Sequence, residues 1–102
     1  MKRTKIIWSP ETARNLQSIK AYIAKDAPKR AVSFIKRLKK SVDRLRLFPE
    51  SGWVVEEYDN PRIREIVFGH FRIIYEYDGK QVVILKVIRG DRLLRKEGLG
   101  SE

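Results

Sequence analysis

The apolar positions of this 102-residue chain change their period part way along it. Ala13, Leu16, Ile19 and Ile23 recur at helical spacing, and Ala31, Ile35, Leu38, Val42 and Leu45 follow in steps of four and three, so each set lies on one face of a helix. Ser9-Pro10 offers an N-cap followed by proline at the first helical position, which starts the first helix at Pro10. Asp26-Ala27-Pro28 ends it and opens the second. A connection this short predicts an antiparallel αα-hairpin, with Phe34 and Phe48 widening its apolar face. Residues 2–8, running from basic to apolar, have β character.

After the turn Phe48-Pro49-Glu50-Ser51-Gly52-Trp53 the period becomes two. Residues 54–57 read as an extended arm and Tyr58-Asp59-Asn60-Pro61 as a turn, followed by strands over 62–68, 70–77 and 81–88. Asp78-Gly79 is a type I′ hairpin signal, and a two-residue loop there sets Tyr75 opposite Val82, Ile73 opposite Ile84 and Arg72 opposite Leu85. One sheet face then carries Phe71, Ile73, Tyr75, Tyr77, Val82, Ile84, Lys86 and Ile88, and should meet the helices. The other carries His70, Arg72, Ile74, Glu76, Gln81, Val83, Leu85, Val87 and Arg89 and is expected to stay open. The fold class is thus α+β: an N-terminal strand and a two-helix antiparallel hairpin packed on a small, mainly antiparallel β-sheet. It forms one domain over residues 1–102, with the last few residues frayed.

Charge adds a partner class. Lys and Arg number 23 against 13 Asp and Glu, a formal net charge of +10, which favours polyanionic partners such as nucleic acid, the ribosome or an acidic protein. With no cysteine and one histidine, thiolate catalysis, disulfides and thiol- or His-rich metal sites are excluded, and no cofactor is expected. No run approaches the roughly 20 apolar residues of a membrane span, so the chain reads as soluble, unexported and cytoplasmic. Much of the positive charge lies on the second helix and just after it, in Lys29, Arg30, Lys36, Arg37, Lys39, Lys40, Arg44 and Arg46, against Asp43 alone. That face is either an ordinary solvated surface or an electrostatic footprint for nucleic acid or an acidic partner. It lacks interleaved aromatics, which argues against single-strand recognition there.

The second sheet face is the candidate for chemistry. Were it to cut RNA, Arg72 would hold the scissile phosphate while His70 or Glu76 moved a proton from the 2′-hydroxyl. The bland alternatives are a strand-edge histidine, a solvated carboxylate and an arginine lying over apolar neighbours.

Several segments together resemble the RelE/ParE toxins of bacterial type II toxin–antitoxin systems. They are Ile7-Trp8-Ser9-Pro10 with Ala13, Leu16 and Ile19; Phe48-Pro49-x-x-Gly52; Arg64 to Gly69; Phe71-Arg72-Ile73-Ile74-Tyr75; and Val83 to Arg92. The resemblance spans residues 6 to about 94 and implies the same fold, together with a cognate, ParD-like or similar antitoxin whose acidic segment neutralises the toxin. It implies two activities. The RelE branch is a ribosome-dependent mRNA endonuclease, in which the arginine matching Arg72 works on the phosphate; the ParE branch poisons DNA gyrase and catalyses nothing. Where RelE-type nucleases carry lysines on the preceding strand, this chain has Arg64 and Glu65, and residues 93–102 lack the late tyrosine or histidine. The Val87-Ile88-Arg89-Gly90-Asp91-Arg92 ending is more similar to the ParE branch. That branch makes Arg64, Arg72, Arg89 and Arg92 the expected target contacts, and for either branch the basic rim of the helical hairpin makes Lys36, Arg37 and Lys40 the expected antitoxin contacts. A third role, as corepressor with operator DNA bound through the antitoxin complex, is compatible with either activity.

Overall fold

The computed structural model describes residues 3–90. Strand β1 (Lys5–Trp8) leads into helices α1 (Pro10–Ala24) and α2 (Pro28–Val42) and a 3-10 turn over Asp43–Arg46. Then come β2 (Trp53–Val54), a second 3-10 turn over Glu56–Tyr58, β3 (Ile63–Phe68), β4 (Phe71–Tyr77) and β5 (Gln81–Arg89). The sheet order is β1-β5-β4-β3-β2, and every pairing is antiparallel except β1 with β5. This is the expected α+β arrangement, and α1 starts where expected: the Ser9 hydroxyl accepts the Thr12 N–H, and Pro10 has no N–H to leave unpaired. Leu16, Leu38, Val42 and Leu45 bury against Ile66, Ile73, Tyr75, Val82, Ile84 and Val87, so the apolar stripes read from the sequence meet one sheet face.

The hairpin register differs from the expected one in two steps. Gly79 has φ +94° but Lys80 stays at negative φ, so the turn is not type I′. The central residues are Gly79 and Lys80, because the Asp78 carboxylate accepts the N–H groups of Lys80 and Gln81 and draws the turn one residue onward. Tyr77 therefore faces Val82 and Tyr75 faces Ile84, a slip of two that preserves the faces. Leu85 is then a bulge, so Ile74 pairs with Lys86, Ile73 with Val87 and Arg72 with Ile88. An odd slip exchanges faces: Val87 joins the core, while Lys86 and Ile88 turn to the second face.

The bulge sits where β1 ends and α1 begins. The Thr12 hydroxyl donates to the Ile84 carbonyl, the Ser9 hydroxyl to the Leu85 carbonyl, and the Val87 N–H to Asn15 Oδ1. Side chains of the first helix thus satisfy the backbone groups of β5 that a regular ladder would have paired.

At the opposite end of the core, the Tyr75 hydroxyl donates to the Pro49 carbonyl at 2.8 Å and accepts the Gly52 N–H at 3.0 Å. A Cβ on Gly52 would lie 2.6 Å from that hydroxyl and from the Glu65 carbonyl, which is why glycine stands there. Burial raises the phenol pKa above its ordinary value, partly offset by the Gly52 N–H and the charges of Arg64 and Arg44. The native state therefore holds a proton that the unfolded chain releases first. This contribution to stability is complete below about pH 10 and is lost as pH rises through the raised native pKa. Tyr75→Phe should cost about 1–3 kcal/mol at neutral pH through the stranded Gly52 N–H. The gap between the two proteins should narrow above about pH 10 in urea unfolding; a constant gap would contradict the linkage.

Candidate functional site

The second sheet face, expected to be open, is covered around Arg72 and Ile74, while Trp53 and Val67 on the same face stay exposed. Residues 54–57 do not form an extended arm. Val54 pairs with Arg64, Val55 is buried, and Glu56–Tyr58 turn back over the face, closing at Asp59 with φ +51°. This fold-back meets the sheet with two side chains, Glu57 at Arg72 and Tyr58 at Lys86. The Lys86 ammonium lies 5.5 Å from the Tyr58 ring centroid. Hydrogen bonding to Tyr58 holds its pKa above the ordinary lysine value, against an opposing desolvation, with Glu11 adding a smaller pull.

Arg72 is 5% exposed at the centre of this face. Its Nε donates to Glu65 Oε1 at 2.5 Å, and its Nη2 faces Glu57 Oε2 at 3.6 Å. Nη2 is buried and has no hydrogen-bond acceptor among the described residues. Two carboxylates thus flank one guanidinium, one of them on a side chain as buried as the arginine's own. Glu65 reaches Arg72 because β3 and β4 place Val67 opposite Arg72 and Glu65 opposite Ile74, one step along on the same face. The sequence carried a signal for this pair, a lone carboxylate inside the apolar run Ile63–Phe68 at the parity of Arg72's partner.

The three residues considered for RNA chemistry are not brought together. Glu76 lies four residues from Arg72 on β4, roughly 13 Å at strand rise. His70 is in the turn before β4, where its carbonyl accepts the Gly90 N–H, and its side chain faces a groove on the helical side. Arg64, a predicted target contact, donates from Nη1 to the carbonyls of Glu50 and Gly52 and so clamps the loop after the helices. Arg92 and the expected fraying of the last residues lie outside the described residues.

That groove gathers side chains the sequence had assigned to separate roles. It holds about 630 Å³ and is lined by Ile19, Tyr22, Ile23, Phe34, His70, Phe71 and Arg89 among others. Phe34 of α2 meets Phe68 and Phe71 edge-on, at 5.4 and 5.7 Å between ring centroids. Arg37 lies over Phe34 at 5.9 Å and Arg89 over Phe71 at 5.7 Å. An apolar, aromatic floor with a cationic rim is suited to an amphipathic segment bearing carboxylates. Lys36 and Lys40 are exposed on α2 and are not among the residues lining the groove. Among the described residues, no cluster of three His, Asp or Glu side chains is placed to hold a metal ion, and no helix is long and apolar enough to cross a membrane.

Residues 6–94 match the family model described as ParE toxin of type II toxin-antitoxin system, parDE. Among solved structures, the chain is similar to a component of the chromosomal ParDE toxin–antitoxin system from P. aeruginosa, with a TM-score of 0.75 and 19% identity. That likeness covers 87% of this chain and 98% of the other. It is also similar to a chain of the toxin-antitoxin complex RelBE2 from Mycobacterium tuberculosis, with a TM-score of 0.55 and 18% identity over 87% of this chain and 93% of that one. No curated protein matches the chain by sequence. At such identities the structural matches carry the fold, and the family model carries the membership.

Proposed function

The chain belongs to the ParE toxins of type II toxin–antitoxin systems, and from that premise we propose that it arrests growth by poisoning DNA gyrase and is silenced by an acidic cognate antitoxin. The observation that carries the choice of target is the environment of Arg72. An arginine that stabilises a scissile phosphate must present its guanidinium to that phosphate. Here the guanidinium is buried and flanked by Glu65 and Glu57, whose charges repel a phosphate in the same place. The other two candidates for proton transfer, His70 and Glu76, stand apart from it. Those facts favour a binding module over a ribosome-dependent mRNA endonuclease.

Arg89, exposed at the end of β5, is then the described target contact, while Arg64 and Arg72 act within the fold. The aromatic groove with its basic rim receives the antitoxin, and the complex binds operator DNA through the antitoxin. On this reading the protein acts in the cytoplasm. The test is a supercoiling and cleavage assay with purified gyrase and relaxed plasmid. Linear DNA should accumulate only when gyrase and the folded toxin are both present, and His70→Ala and Glu76→Ala should leave it unchanged. No linear DNA, together with cleavage of mRNA on purified ribosomes, would overturn the reading.

A further inference from the structure

The chain just past α2 presents apolar side chains to solvent where a connection ordinarily presents polar ones. Phe48, expected to widen the apolar face of the hairpin, is 59% exposed; Leu47 before it is 44% exposed, and Pro49 follows. The loop that carries them is held firmly. The Tyr75 hydroxyl pins both the Pro49 carbonyl and the Gly52 N–H, the Ser51 N–H donates to the Phe48 carbonyl, and Arg64 Nη1 donates to the carbonyls of Glu50 and Gly52. Every one of these contacts engages the backbone of the loop and leaves Leu47 and Phe48 turned to solvent. Charge is arranged behind this apolar tip. The Phe48 N–H donates to the Arg44 carbonyl, a helical step, so Lys40, Arg44 and Phe48, all exposed, follow one another at four-residue spacing off the end of α2. The two acids of the segment, Asp43 and Glu50, are engaged by Arg46 at 3.5 Å and Arg64 at 3.9 Å, so Lys40 and Arg44 supply its surplus positive charge.

We propose that Leu47-Phe48-Pro49 is a wedge for duplex DNA, the Phe48 ring entering a base step while Arg44 and Lys40 hold the adjacent phosphates. Leucine, phenylalanine and proline are among the side chains that pry base pairs apart, and cations beside them on the backbone fix where the wedge enters. A clamped loop meets a further need, because an aromatic already held in place loses little freedom on insertion. A protein partner could bury the same apolar tip, but the cationic row leading to it, on a chain of net charge +10, favours a polyanion. The proposal rests on the gyrase reading only for its setting, the DNA opened at the enzyme's cleavage site, and its test needs no gyrase.

The test is relaxation of closed circular plasmid by a nicking-closing topoisomerase in the presence of the toxin, followed by removal of protein and separation of the topoisomers. An inserted wedge unstacks and unwinds the duplex, so the parent protein should lower the linking number in proportion to the amount bound. Phe48→Ala should bind the plasmid within about threefold of the parent, since the phosphate contacts remain, yet leave the linking number unchanged. Phe48→Trp should keep the unwinding. Arg44→Ala should weaken binding and reduce its salt slope by about one. A parent protein that fails to bind, or binds without unwinding, overturns the proposal whether or not the variants fold, and so does equal unwinding by folded Phe48→Ala. Loss of gyrase poisoning in Phe48→Ala, with no unwinding by the parent, would place the loop against the enzyme itself and likewise overturn it. Unwinding by a parent protein that produces no linear DNA with gyrase would support the wedge and overturn the choice of gyrase.

Discussion

Glu65→Ala should lower the unfolding free energy by about 3–5 kcal/mol, because it leaves a buried guanidinium without its short-range counter-charge. Arg72 Nε donates to Glu65, whose side chain is fully buried, and the remaining carboxylate, Glu57, faces a different nitrogen at 3.6 Å from a side chain 32% exposed. Glu57 is too distant and too wet to replace it. Glu65→Gln should cost less, since an amide oxygen still accepts from Nε. The pair replaced together, Arg72→Met with Glu65→Leu, should return close to the parent stability, because no charge then needs compensation. Guanidinium unfolding of the four proteins makes the comparison. A loss below about 1 kcal/mol for Glu65→Ala would mean that the site behaves as a surface pair.

The same set separates structure from activity. Arg72→Ala alone will weaken any toxin by unfolding it, so its loss of toxicity says nothing about catalysis. The double variant should fold and has no guanidinium at position 72. If it still converts plasmid to linear DNA with gyrase, Arg72 is structural; if it is folded and inert, Arg72 touches the target.

The second large effect is expected from charge reversal on α2. Lys36→Glu, Arg37→Glu and Lys40→Glu together should weaken binding of the acidic antitoxin segment by about 100-fold, mostly through slower association, and flatten the dependence of affinity on salt. Stability should hardly change, since all three side chains are exposed. Arg37 should account for the largest share, because it lies against Phe34 at the groove while the two lysines do not line it. Calorimetry at two salt concentrations tests this, and unchanged affinity with an unchanged slope would sink it.

The helical hairpin was legible in the sequence because its information is local: Ser9-Pro10, Pro28 and the apolar steps act within a turn or two of where they stand. The sheet faces were legible only up to Leu85. That bulge is held by Ser9, Thr12 and Asn15, more than 70 residues earlier, and no periodicity within β5 records their hydrogen bonds. The turn at Gly79-Lys80 was misread by one residue because Asp78 serves as a side-chain acceptor and not as a central turn residue. The surroundings of Arg72 were not legible for a related reason. Arg72 was correctly placed on the second face, but its burial depends on a fold-back at Glu56–Tyr58 that needs Asp59 in a left-handed conformation. The aromatic cluster was not legible because Phe34 and Phe71 read as parts of separate apolar faces and Phe68 only as the end of a strand, until α2 brings the three together.

The position of β5 bears on how the protein is made. The last described strand is not at an edge; it lies between β1 and β4 and gives α1 its anchor points. A chain still emerging from the ribosome has its hairpin and β3–β4 but no strand to which β1 can pair. Such long-range closure is slow and comes late. Synthesis therefore passes through a stage at which the toxin exists as a polypeptide but not as a fold, and an antitoxin already present can meet the sheet before it closes.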